Sequence, residues 1–217
     1  MKLFFSSIGV LFLTTTLMTA AARSDDEQGF TPIFDGETLQ GWRGAEGYWR
    51  VEEGAIVGES SEEKPLDHNT FLVWEHGEVD DFELRLQFRI TGSDAANSGI
   101  QFRGSQAEDG HVIGYQADID KAGNWVGALY DEARRGLLAG RGQQTTVSPE
   151  GEKATDQVAD AAELFEHVKQ DDWNDYSITA RGEQITLKVN GHVTAQVNDQ
   201  QSSQGDLIGL LALQLHS

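Results

Sequence analysis

The chain has 217 residues, 36 acidic against 16 basic ones, a formal net charge of −20 and no cysteine. That length supports one domain with a sizeable core. The charge excludes nucleic acid and anionic membrane surfaces as partners, since both demand basic patches. The absence of thiols excludes disulfides, a thiolate nucleophile and a Cys-ligated zinc.

Residues 1–22 read as a secretory signal peptide. Lys2 gives the positive start, residues 3–17 are largely apolar, and Ala20-Ala21-Ala22 supply small residues for cleavage. The expected location is secreted or periplasmic, with no membrane insertion after the leader is cut. Residues 23–29 form an acidic tail, and residues 30–217 a single domain.

The domain opens on FTPIFDGETLQGW, where Pro32 and Asp35-Gly36 mark turns and Phe34, Leu39 and Trp42 are anchors to the core. Residues 49–59 predict a hairpin turned at Glu53-Gly54, residues 60–69 a charged loop, and residues 71–74 a short apolar strand. Residues 82–90 carry the cleanest period: Phe82, Leu84, Leu86, Phe88 and Ile90 share one face, which means a half-buried strand. Residues 97–120 predict two strands joined by a polar loop. Ile100 and Phe102 alternate with Gln101 and Arg103, then Tyr115, Ala117 and Ile119 with Gln116, Asp118 and Asp120.

Residues 123–130 predict a further strand and residues 131–142 a long loop rich in Arg and Gly. Residues 147–170 break the pattern, and Ala159, Ala161, Ala162, Leu164 and Phe165 suit a short helix in an insertion or lid. Strands follow at 173–180 and 184–189, then Asn190-Gly191 signals a type I′ hairpin whose partner strand is 192–197. Residues 207–216 give the last strand. About ten short strands with little helix predict an all-β fold, a two-sheet antiparallel β-sandwich with one short helical insertion.

The polar faces of the two central strands offer a sugar-sized surface, or else an ordinary solvated sheet face. Arg103 and Asp118 read as site residues or as a plain cross-strand ion pair. Asp118 and Asp120 share a face and are candidates for a hard divalent cation, though no EF-hand or HExxH spacing exists. His68, His76, His111, His167 and His192 fall in loops or at strand edges and are taken as solvated, while Glu132, Arg134 and Arg135 read either as residues at the edge of a site or as a solvated charge run. No E-x-D-x-E stretch occurs, which counts against a retaining glucanase of the lectin-like type.

The stretches FTPIFDGETLQGW, YWRVEEGAIVGE, DFELRLQFRI, NSGIQFR, GYQADI, GALYDE, DWNDYSI, the Asn190-Gly191 hairpin and IGLLALQLH together resemble the 3-keto-disaccharide hydrolase domain family. The resemblance runs from residue 30 to residue 217 and rests on the order and spacing of these stretches. It implies a concanavalin-A-like jelly roll, export from bacterial cells, and cleavage of glycosides already oxidised to a ketone at C3. It also implies one more strand after LQLH, so the chain is expected to lack its last C-terminal strand. Fold alone settles no activity.

Cleavage of a 3-keto-glycoside needs a base for the C2 proton, an electrophile for the enolate oxygen and an acid for the leaving group. Combined with the polar-face alternation, the resemblance makes Asp118 or His216 the base, Arg103 the oxyanion holder and Tyr130 or Glu132 the acid. Gln101, Gln116 and Gln214 then bind hydroxyls and Trp125 stacks on a sugar ring. The expected partner is an oligosaccharide or oxidised glycoside, with no cofactor required beyond a candidate divalent cation. The alternative is a non-catalytic carbohydrate-binding module on the same scaffold. A third reading is a structural domain that docks to a cell-surface partner through residues 147–170.

Overall fold

The computed structural model describes residues 2–6 and 29–217. Residues 1 and 7–22 of the predicted leader, and residues 23–28 of the acidic tail, lie outside the described residues. Among the described residues sixteen strands form two stacked sheets, beside one short helix.

The nine-stranded sheet contains β1 (Lys2–Ser6), β3 (Trp49–Glu52), β4 (Ala55–Glu59), β6 (Phe82–Thr91), β11 (Gln143–Val147), β12 (Lys153–Gln157), β13 (Asn174–Arg181), β14 (Gln184–Val189) and β15 (His192–Asp199). The seven-stranded sheet contains β2 (Trp42–Arg43), β5 (Thr70–Trp74), β7 (Asn97–Gln106), β8 (Val112–Asp120), β9 (Leu129–Glu132), β10 (Gly136–Ala139) and β16 (Leu210–Leu215). Its order is β10-β9-β8-β7-β16-β5-β2. The sandwich is thus a jelly roll of concanavalin-A-like type, nearly all-β, as the alternating runs require.

One face of each sheet is apolar and the two meet in the core. Phe88, Ile90, Tyr176, Ile178 and Leu187 come from one sheet, and Ile100, Phe102, Tyr115, Ala117, Ile119, Leu213 and Leu215 from the other. Each is one member of a period-two set, so its neighbours in sequence face outward. The hairpin turns are set by backbone handedness. Asn190 and Gly191 have φ of 48° and 82°, the left-handed pair that a type I′ turn needs.

Five local readings change. Residues 121–128 are loop, and the strand begins only at Leu129. Residues 131–142 are not a long loop: β9 and β10 form a hairpin turned at Ala133, whose φ is 56°. The stretch 147–170 is built into the sandwich, since β11 and β12 extend the nine-stranded sheet at its edge and α1 (Ala161–Glu166) follows, capped by Asp160. β11 pairs with β15 in parallel, a departure from the purely antiparallel expectation. Arg134 and Arg135 are not a solvated run either. They are largely buried, with Arg134 bonded to Asp131 and Asp206 and Arg135 to Asp131 and Asp199.

Lys2–Ser6, inside the stretch read as a leader, runs antiparallel between β4 and β6, with Phe4 opposite Val57 on one side and Arg89 on the other.

Candidate functional site

The outward face of the seven-stranded sheet carries the polar residues of the central strands. Register places Asp118, Gly99, Gln214 and Phe71 in one row across β8, β7, β16 and β5. The next row holds Tyr130, Gln116, Gln101, Ala212 and Val73. Beyond the polar end, Phe71, Val73, Val112 and Ala212 pack into a small apolar cluster on this same face.

A cavity of about 340 Å³ opens over these rows. It is lined by Asn69, Asn97, Gln116, Asp118, Trp125, Tyr130, Glu132, Gln214 and His216. A loop frames it. Loop 121–128 is rooted by Asp120, whose carboxylate accepts from the backbone N–H groups of Asn124, Trp125 and Val126. Arg141 holds the same loop from behind, donating to the carbonyls of Gly123 and Val126 and to Ala161 of α1. Trp125 therefore stands out from a fixed base, 41% exposed and edge-on to the Tyr130 ring. His111 packs its ring against Phe71 and sets its Nε2 3.1 Å from Oε1 of the cavity residue Glu132. His111 is thus half-buried and partnered, not solvated.

Asp118 sits at the floor, 4% exposed. Gln116 Nε2 donates to its Oδ1 at 2.6 Å, and Gln101 Nε2 donates to Gln116 Oε1 at 2.7 Å. The bare Cα of Gly99 makes room for this chain: a Cβ there would lie 2.5 Å from Gln116 Cγ. Burial pushes the Asp118 carboxyl up to about 8; the Gln116 hydrogen bond pulls against that, and the negative charges of Glu132 and Asp120 add to it. A carboxyl poised there carries a proton at neutral pH and can give it up within reach of neutrality.

His216 Nδ1 lies 2.8 Å from the Ser217 carbonyl oxygen. A backbone oxygen only accepts, so Nδ1 donates there and Nε2 is the ring nitrogen left for other work. Asn69 Oδ1 accepts from the Ser217 N–H, which leaves the Asn69 amide nitrogen as the group it offers. Gln214 is 1% exposed and its Oε1 is buried without a hydrogen-bond partner, an acceptor waiting for a donor.

Asp118, His216, Glu132, Gln116, Tyr130, Trp125 and Gln214 are thus brought together. Gln101 and Arg103 do not line the cavity. Gln101 is fully buried behind Gln116. Arg103 is on the other side of the sheet, because a β-bulge between Phe102 and Ser105, with Arg103 at φ 48°, breaks the alternation. Its guanidinium crosses the sandwich to the Asp80 and Gly182 carbonyls and to Asp81. It is neither an oxyanion holder here nor the partner of Asp118.

The residues do not fit a cation shared by Asp118 and Asp120. Asp120 spends its carboxylate on backbone N–H groups, and among the described residues no three His, Asp or Glu side chains gather as ligands. Asn69 and Asn97 were missed in the sequence. Each lies just outside an apolar run, and nothing but strand register brings them to His216.

A polar cleft floored by a near-neutral carboxyl and rimmed by an exposed indole, on a jelly-roll sheet, marks the carbohydrate-active and carbohydrate-binding class of sandwich domains. The chain belongs to the 3-keto-alpha-glucoside-1,2-lyase-like domain family, whose profile matches residues 29–217. No curated protein matches it in sequence. Among solved structures it is similar to a putative glycosyl hydrolase from Parabacteroides distasonis ATCC 8503, with 16% identity, a TM-score of 0.58, and coverage of 89% of this chain and 92% of that one. It is also similar to the carbohydrate binding module CBM66 from Bacillus subtilis, with 15% identity, a TM-score of 0.54, and coverage of 81% and 88%. Likeness at this identity speaks for the fold. Among the described residues no helix is long and apolar enough to cross a membrane.

Proposed function

We propose that the protein cleaves 3-keto-glycosides by elimination followed by hydration, with Asp118 and His216 as the proton-handling pair. The observation that carries the reading is a buried carboxyl held near neutrality on the floor of a cavity that His216 also lines. His216 Nε2 takes the C2 proton, and the electrons pass through C3 to its oxygen as an enolate. The Asn69 amide nitrogen donates to that oxygen, a role supported by its Oδ1 already accepting from the Ser217 N–H. The enolate collapses, a C1–C2 double bond forms, and the C1–O bond breaks as the Asp118 carboxyl gives its proton to the leaving oxygen. In the second half the Asp118 carboxylate takes a proton from water as its oxygen adds to C1, and His216 returns the proton to C2. The net reaction is hydrolysis, and both residues end as they began.

Trp125 offers a face for a sugar ring and Gln214 Oε1 an acceptor for a hydroxyl. The leader-like composition of residues 1–22 supports a place outside the cytoplasm, and cleavage there would remove Lys2–Ser6 from the nine-stranded sheet.

The test is to incubate the protein with a 3-keto-glucoside and with its unoxidised parent. Cleavage of the keto form alone, with deuterium from the solvent appearing at C2, is the expected result. Asp118→Asn and His216→Ala should each abolish it. Equal cleavage of both sugars overturns the proposal. Binding of sugar without cleavage supports the second reading, a carbohydrate-binding module, which the exposed Trp125 and the likeness to CBM66 favour.

A further inference from the structure

We propose that Gln101 and Gln116 form a two-amide relay that turns over with the proton on Asp118, and that Gln101, which does not touch the cavity, is its positioning residue. The inference rests on the reading of Asp118 as an acid in one half-reaction and a base in the other.

An amide has a donor end and an acceptor end, and rotation by half a turn exchanges them. In the observed arrangement Gln101 donates to Gln116 and Gln116 donates to Asp118. That polarity suits a carboxylate, which only accepts. It leaves Gln101 Oε1 buried with no hydrogen-bond partner. A buried acceptor without a donor is costly, and a native structure keeps one for a reason.

Reversing both amides gives the chain its other polarity. With Asp118 protonated, its O–H donates to Gln116 Oε1, and Gln116 Nε2 then donates to Gln101 Oε1. Gln101 Oε1 then accepts, and its Nε2 takes the buried place that the oxygen held, so that end of the chain carries the same kind of cost in both arrangements. Either protonation state of Asp118 thus has a matching hydrogen-bond chain, and no atom outside the sheet has to move. Gly99 keeps the space that the Gln116 amide needs, since a Cβ there would press on Gln116 Cγ, Cδ and Nε2.

The other groups around Asp118 do not serve this purpose. Asp120 is committed to loop backbone, Glu132 to His111, and the Tyr176 hydroxyl, from the facing sheet, reaches the Asp118 carbonyl and not its carboxyl. Tyr130 and His216 line the cavity above it.

Side-chain ¹⁵N NMR of the full chain tests the relay without any turnover. The Gln101 Nε2 signal should move with pH along the same curve as the Asp118 carboxyl carbon. It should lie flat in Asp118→Asn, and also in Gln116→Met, where Asp118 still titrates but the link is cut. A Gln101 signal that is flat in the native protein overturns the relay. So does one that still moves in Asp118→Asn or Gln116→Met, because a neighbouring charge would then be its cause. In a turnover assay, Gln101→Met should lower kcat about tenfold with KM unchanged, and an unchanged kcat overturns the positioning role. Should no 3-keto-glycoside be cleaved at all, the proposed function fails, and the NMR curves alone decide the relay.

Discussion

The backbone N–H of Trp125 donates to Asp120 Oδ1 at 2.9 Å, so the exposed indole grows from a carboxylate-capped loop. The two residues that look alike on the sheet face, Asp118 and Asp120, therefore do different work. One faces the cavity, and the other builds its rim.

The rim predicts a separation of effects. Trp125→Ala should weaken sugar binding by about 1 kcal/mol, near fivefold, since it removes an aromatic face, and should leave the melting temperature within a degree or so. Asp120→Ala should cost both affinity and stability, because three buried or half-buried N–H groups lose their acceptor. Titration calorimetry beside thermal melts checks both. Equal loss of stability in the two variants would show that Trp125 is a packing residue.

Asp118 predicts the pH dependence of stability. Its carboxyl is raised to about 8, above the range of an unfolded aspartate, so the folded chain binds this proton more tightly than the unfolded one. That contribution is complete at low pH and is lost as pH rises through 8. Asp118→Asn needs no proton there. The variant should be more stable than the native chain at pH 8–9, by on the order of 3 kcal/mol, with the advantage fading toward pH 4. Urea melts across that range test it, and a pH-independent difference would mean that Asp118 is not buried as an acid.

How much of this was legible depends on what sets each feature. The strand at Phe82–Thr91 was legible because five apolar residues at period two admit no other reading. The Asp118, Gln116 and Gln214 face was legible for the same reason. Arg103 was misread because alternation carries a side chain to the wrong face once one extra residue enters the strand, and the bulge has no clear mark in the sequence. Residues 123–128 read as the start of a strand because Val126, Ala128 and Leu129 are apolar, and they are loop. What unmakes the strand is a carboxylate several residues earlier taking the backbone N–H groups, a contact that only the fold reveals.

The same bulge predicts that Arg103 is structural. It is 1% exposed, and it donates to the carbonyls of Asp80 and Gly182 and to the carboxylate of Asp81. Arg103→Met should destabilise by roughly 2 kcal/mol by removing the three hydrogen bonds that tie the two sheets together. The kcat and KM of the folded protein should stay within twofold. Loss of turnover at full folding, shown by near-UV circular dichroism, would return Arg103 to the catalytic machinery.

The last prediction concerns β1. Lys2–Ser6 fills the space between β4 and β6, each paired with it over five residues. Those neighbours carry Ile56, Phe88 and Ile90 into the main core. Take β1 away and two strand edges lie open in the middle of a sheet, which invites pairing with another chain. A chain starting at residue 23 should therefore melt about 10 °C lower than the full chain, several backbone hydrogen bonds at about 1 kcal/mol each being lost. It should also self-associate on gel filtration, and a peptide of the sequence KLFFS added in excess should restore both properties. Equal melting temperatures with no response to the peptide would mean that β4 and β6 close on each other, or on another segment, without β1.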